Sequence, residues 1–239
     1  MEGIGMSVVK YSSIAFITFA ILAGIAIPMV PQPQSWLEFP IIPGLEDKAR
    51  NIFFHVPMAW TSVLGFIFAL FYGFRYLLTK DFDYDIKSVS SAGLGMMFCI
   101  LATITGSIWA KFSWGSFWNW DPRETSIFIL LLIYGAYFAL RSALGSDEVR
   151  ARLAAVYSII AGMTAPYYIF ITPRIVGGLH PGAKGDTTGS MPLAQLHMTL
   201  NMGFVFFIGI IGFSLFFLWL LNLRIRIAQI EYQISKNKM

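Results

Sequence analysis

The chain has 239 residues, of which 56% are hydrophobic and only 13% charged, and its mean hydropathy is +0.66. That composition excludes a soluble domain with a charged surface and reads as an integral membrane protein. The net charge is only +4 and the basic residues lie between apolar runs, so nucleic-acid binding has no support, while a single cysteine, Cys99, excludes an internal disulfide or a Cys-x-x-Cys redox pair.

A run of roughly 20 apolar residues crosses a bilayer as a helix, because lipid cannot satisfy exposed backbone groups. Six runs qualify, at 8–30, 52–78, 89–112, 125–144, 153–172 and 197–221. The first is too long for a signal-peptide core and is kept as a span. Between the first and second lies a proline-rich segment, "PQPQSWLEFPIIPGLEDKAR". A Trp-rich loop at 113–124 joins the third to the fourth, and Pro166 interrupts the fifth. The segment "PRIVGGLHPGAKGDTTGSMP" precedes the sixth. The expected fold is all-α: a polytopic membrane protein, a bundle of six transmembrane helices with a short Trp-rich interfacial segment, forming a single integral membrane domain over 1–239.

Six spans put both termini on one side. Eleven basic residues fall on that side, against six on the other (Lys48, Arg50, Lys111, Arg123, Arg174 and Lys184). The positive-inside rule therefore predicts cytoplasmic termini, with the Trp-rich loop facing outward. The cytoplasmic connections are short and charged. Gly177 and Gly182 approach a P-loop, but Ala183 precedes Lys184 and Gly185 follows it, so the phosphate-cradling order fails and ATP hydrolysis is not expected.

The stretch "WAKFSWGSFWNWDPRETS" holds four of the seven tryptophans. If helical, it would place Trp114, Phe117, Trp118 and Asp121 on one face and Trp120 elsewhere. The rings could form a flat aromatic shelf or an ordinary interfacial belt. "DPRE" also carries a helix-start signal, with Asp121 as N-cap, Pro122 at the first helical position and Glu124 three residues after the cap. Arg123 would then stack with the rings, meet a bound anion, or pair with Glu124 at the surface.

The order of residues from Trp114 to Thr125, "WGSFWNWDPRET", resembles the tryptophan-rich WWD signature of the membrane haem-handling proteins of cytochrome c maturation. "NIFFHVPMAW", with Arg50 and His55, and the outward histidine of "GGLHPGAK" resemble cytochrome c maturation protein C, the heme exporter C family. The likeness covers nearly the whole chain. Phe117 stands where a third clustered Trp is common, and "NWDPRE" is closer to the related synthesis proteins of the other assembly route.

All three histidines, His55, His180 and His197, are predicted on the outward side. Iron of haem is commonly held by neutral imidazole nitrogen, and two imidazoles complete six-coordination. Combined with the resemblance, this makes His55 and His180 the expected axial ligands and His197 a structural histidine. Rings of Trp114, Trp118 and Trp120 would cover the porphyrin, with Asp121 beside them, and Arg50 and Arg123 would meet its propionates. The resemblance implies a b-type, non-covalent haem cargo, since one cysteine gives no c-type attachment site within the chain. It further implies residence in the bacterial inner membrane, presentation of haem to a periplasmic haem chaperone, an ABC transporter pair and a small single-span subunit. Two other classes compete: a cytochrome c synthase subunit attaching haem directly, and a transporter or b-type electron carrier. The spans lack the mid-membrane charges or histidine pairs that the last class needs.

Overall fold

The computed structural model describes residues 4–180 and 198–237. It contains helices α1 (Ile4–Ala26), α2 (His55–Thr79), α3 (Phe82–Trp114), α4 (Pro122–Ala143), α5 (Asp147–Pro166), the four-residue α6 (Thr172–Ile175) and α7 (Leu200–Lys236). A 3₁₀ helix, Glu46–Phe53, leads into α2. Six helical stretches among the described residues are long and apolar enough to cross a membrane, so the chain is an all-α polytopic membrane protein. Its strand content, among the described residues, is one parallel pairing of β1 (Met29–Val30) with β2 (Phe39–Pro40).

The helices overrun the hydropathy limits because an apolar run marks the lipid-buried part of a helix, whereas caps mark its ends. Helix α3 starts at Phe82 rather than 89: the Asp81 side chain accepts the Asp83 N–H at 2.9 Å, and Asp83 and Asp85 suit the positive end of the helix dipole. The connection before it shrinks to a turn through Lys80, whose φ is +58°. Likewise α5 starts at Asp147, with Glu148 in its first turn, and α7 runs on to Lys236. By contrast α1 stops at Ala26, because Met29 and Val30 pair with 39–40. At Pro166 the fifth span opens into a π turn, Tyr167–Ile171, since proline supplies no N–H to the ladder.

Lipid tails are as apolar as leucine, so membrane helices associate through close packing of small residues. Helix α2 meets α3 backbone to backbone at Gly65: a Cβ there would lie 2.5 Å from Gly95 Cα and 2.9 Å from the Ser91 carbonyl. The next residue, Phe66, stacks on Tyr134 of α4 with centroids 3.7 Å apart, both fully buried. A second core, including Ala20, Phe39, Phe53, Met202 and Phe206, ties α1 and α7 to the 29–53 segment.

Polar contacts define the two ends of the bundle. At one, the Arg141 guanidinium forks onto Asp85 at 2.6 and 2.8 Å, Gln229 donates to Asp83, and Phe82 stacks on Tyr232. The described ends of α1 and α7 lie on this side with the 79–82 and 143–147 turns. Segments 27–54, 115–121 and 176–180 occupy the other end.

Gly65→Ala is expected to cost about 1–3 kcal/mol by overpacking, read as a lower thermal midpoint of the detergent-solubilised protein. Gly93→Ala, where the added carbon meets only Phe138 at 3.9 Å, is expected to leave the midpoint in place. The Asp85 and Arg141 side chains are 10% and 12% exposed. Arg141→Gln, which strands the Asp85 carboxylate, is therefore expected to cost about 3–5 kcal/mol in the same measurement.

Candidate functional site

The candidate site residues gather at the loop end, around the last turns of α3. His55 is the first residue of α2, delivered there by the 3₁₀ helix, and its Nδ1 lies 3.0 Å from the Thr105 hydroxyl of α3. The next residue must be small: a Cβ at Gly106 would come within 2.9 Å of His55 Cε1. One turn further along α3, the Trp109 ring lies 5.9 Å from the His180 ring, and Trp114 meets His180 edge-on at 4.7 Å. Two histidines 125 positions apart thus rest against consecutive turns of one helix.

The hydrogen-bond partners of each imidazole favour one nitrogen as the donor. The single Thr105 hydroxyl proton goes to the backbone, where the Leu101 carbonyl is 2.9 Å away and that of Ala102 3.1 Å. With that proton on a carbonyl, the oxygen is an acceptor for His55 Nδ1–H, the tautomer that leaves the lone pair on Nε2. His180 Nδ1 lies 2.6 Å from Asp121 Oδ1. A carboxylate accepts only, so this ring too is protonated at Nδ1.

Asp121 is the hub of this end. Its side chain is 1% exposed. Oδ1 accepts from His180 and from the Arg123 N–H at 2.9 Å, and Oδ2 accepts the Leu179 N–H at 2.6 Å. Gly178 must lack a side chain for this approach, since a Cβ would sit 2.6 Å from Oδ2. Burial works against ionisation, but the His180 contact and the two amide N–H groups outweigh it and hold the carboxyl down to about 2. The helix-start reading of "DPRE" holds as well: Asp121 and Glu124 form a capping box with Pro122 in the first turn. Glu124 Oε2 accepts the Asn119 N–H at 2.7 Å and the Asp121 N–H at 3.3 Å, fixing the end of the loop.

The rest of the loop differs from the helical reading. Residues 115–121 are irregular, Gly115 ends α3 in the left-handed conformation, and Trp120 has a φ of +56°. In place of one shelf the rings form two groups. Trp109, Trp114 and His180 make one; Trp118, Trp120 and Phe128 of α4 make the other, with centroids 5.8 to 6.5 Å apart. Trp120 is 69% exposed, and Phe117 lies under the Lys111 ammonium.

The two arginines take different places. Arg50 donates from one terminal nitrogen to the Gly24 and Ile27 carbonyls, both at 2.8 Å, and from Nε to Asp47. It thereby closes the C-terminus of α1. It also lines an apolar groove of about 360 Å³ with Lys48, Phe54, Thr105, Ile108 and Trp109. Arg123 is exposed at the start of α4. His197 lies outside the described residues, as does the 182–185 stretch considered as a P-loop.

Sequence reasoning missed Trp109 as a site residue. Its Nε1 donates to the Lys48 carbonyl at 2.9 Å, so it forms a wall between the groove and His180. Its position five residues before Trp114, at the end of an apolar run, was the available signal. Thr105, Gly106 and Gly178 carried none.

The profile of the family described as Heme exporter protein C matches residues 7–239. The chain belongs to the Heme exporter protein C family. It is 30% identical to the Heme exporter protein C of Paracoccus denitrificans over 74% of this chain and 71% of that one. It is 29% identical to that of Rhodobacter capsulatus over 78% and 75%. A more distant relative is the "Cytochrome c biogenesis protein CcsA" of Chlamydomonas reinhardtii, 28% identical over 70% of this chain but only 46% of that longer protein. Membership places this heme exporter C chain in cytochrome c maturation, as a multi-pass membrane protein with haem as its cargo.

Asp121 gives a pH signature in the haem-free protein. Its carboxyl is depressed from the ordinary value of about 3.9 to about 2. The stabilisation is therefore complete above about pH 4 and is lost as pH falls toward 2. Protection of the Leu179 amide relative to its intrinsic exchange rate is expected to hold down to about pH 4 and to fall below it; protection unchanged down to about pH 2 would count against the contact.

Proposed function

We propose that this heme exporter C protein holds haem at the loop end between His55 and His180 and presents it to a periplasmic haem chaperone. The observation that carries the reading is the pairing of two histidines from distant segments against adjacent turns of α3, each with Nδ1 beside an oxygen, Thr105 Oγ1 for His55 and Asp121 Oδ1 for His180, an arrangement that suits Nε2 as the metal-binding nitrogen. Neutral imidazole of this form is the usual protein ligand of haem iron. When bound, haem supplies the iron and the vinyl groups that are eventually joined to protein; the chain supplies position.

In this reading Trp109 and Trp114 cover the porphyrin near His180, and Trp118 with the exposed Trp120 forms the outer rim toward the partner. Arg50, at the groove, and Arg123, in the first turn of α4, neutralise the propionates. No residue pair acts as acid and base; the work is orientation, with the cargo held non-covalently as b-type haem. The excess of basic residues on the terminal side supports cytoplasmic termini, with the site on the outer face of the bacterial inner membrane. An ABC transporter pair and a small single-span subunit complete the assembly.

Replacement of His55 or His180 by Ala is expected to abolish or shift the Soret band of the purified protein and to lower chaperone loading. Wild-type spectra and loading in both single variants would end the ligand assignment. Trp109→Leu is expected to weaken haem retention about three- to tenfold, the worth of one aromatic contact, measured by transfer to apomyoglobin.

A second reading, direct attachment of haem to apocytochrome thiols, has two observations in its favour, the "NWDPRE" order and the likeness to CcsA. Reconstitution separates the two. Thioether-linked cytochrome formed by the purified chain and its membrane partners without a chaperone establishes a synthase.

A further inference from the structure

The two imidazoles are backed by different acceptors. Behind His55 stands a neutral hydroxyl that itself donates to the backbone. Behind His180 stands a buried carboxylate at 2.6 Å. Hydrogen bonds to an ionised acceptor are roughly twice as strong as neutral ones, and a carboxylate behind a metal-bound histidine makes that ligand more basic. Asp121 is also unsuited to touching cargo, because both of its oxygens are occupied by His180, Arg123 N–H and Leu179 N–H, with 1% of the side chain exposed.

We propose that Asp121 is a positioning residue that acts on the iron through His180: its carboxylate lends the ring imidazolate character and so favours ferric over ferrous haem, while its other oxygen holds the 178–180 segment against α4. This rests on His180 being an iron ligand. A more anionic imidazole donates more charge and stabilises the higher oxidation state. The WWD aspartate then sets the redox poise of the cargo, and the tryptophans beside it cover the porphyrin. One residue couples the loop that carries the rings to the loop that carries the ligand, so ring surface and iron potential are set together.

Asp121→Asn is the informative change because Asn is as good an N-cap as Asp, which leaves the start of α4 intact. The full-length protein, loaded with haem in detergent, is examined by redox titration and by electron paramagnetic resonance of the ferric form. The expected result is a midpoint shifted to more positive potential, with low-spin g values moved toward neutral bis-imidazole ligation. An unchanged or more negative midpoint overturns the proposal, since a purely structural role for Asp121 would leave the potential of correctly bound haem where it was. Should the Asn variant fail to accumulate, Gly178→Ala presses a methyl group to within 2.6 Å of Oδ2 while keeping both partners. It is expected to shift the midpoint in the same direction, and an unchanged midpoint there is equally fatal. His180→Ala separates the two levels. If it leaves the haem spectrum unaltered, the ligand reading fails and this inference with it; if it alters the spectrum while Asp121→Asn leaves potential and g values alone, only the inference fails.

Discussion

A hydrogen bond between Asp121 and His180 closes a gap of 59 residues, and the loop end of the molecule is organised around it. The same carboxylate caps α4 and receives the Leu179 amide. Without that anchor, α4 would lose its cap and the segment after α6 its only polar tie, among the described residues, to the Trp-rich loop. Because the anchor is buried, its strength is little screened by solvent.

Below this hub, α3 serves as a common wall. Its last turns offer Thr105 and Gly106 to His55, Trp109 to His180 and to the 3₁₀ helix, and Trp114 to the second aromatic contact. The wall is held in place by close backbone contact with α2 at Gly65 and Gly95. Packing in the bundle thus fixes the spacing of groups that belong to three separate loops. The α2–α3 helix contact and the imidazoles at the loop end are parts of one arrangement.

Much of this was legible in the sequence. Six spans follow from hydropathy alone, since the bilayer leaves few alternatives to a helix of that length. The cap at Asp121, Pro122 and Glu124 was legible because capping chemistry is local and needs only three neighbouring residues. What stayed hidden depended on contacts between distant segments. Arg50 reads as a free cation until α1 is seen to end with its carbonyls beside it. Trp118 and Trp120 cannot be grouped with Phe128 until the loop is known to be irregular. The extra turns of α3, α5 and α7 escaped because hydropathy measures contact with lipid, and a helix needs no lipid to continue.

The π turn at Tyr167–Ile171 has a bearing on how the family can vary. A helix advances about 100° per residue, so removing one residue there, or adding one, would swing everything beyond it by more than a quarter of a circle. Leu179 and His180 would then face away from the carboxylate that receives them. A change in the length of this stretch would have to be taken up by the irregular residues 176–180 for Leu179 and His180 to reach Asp121.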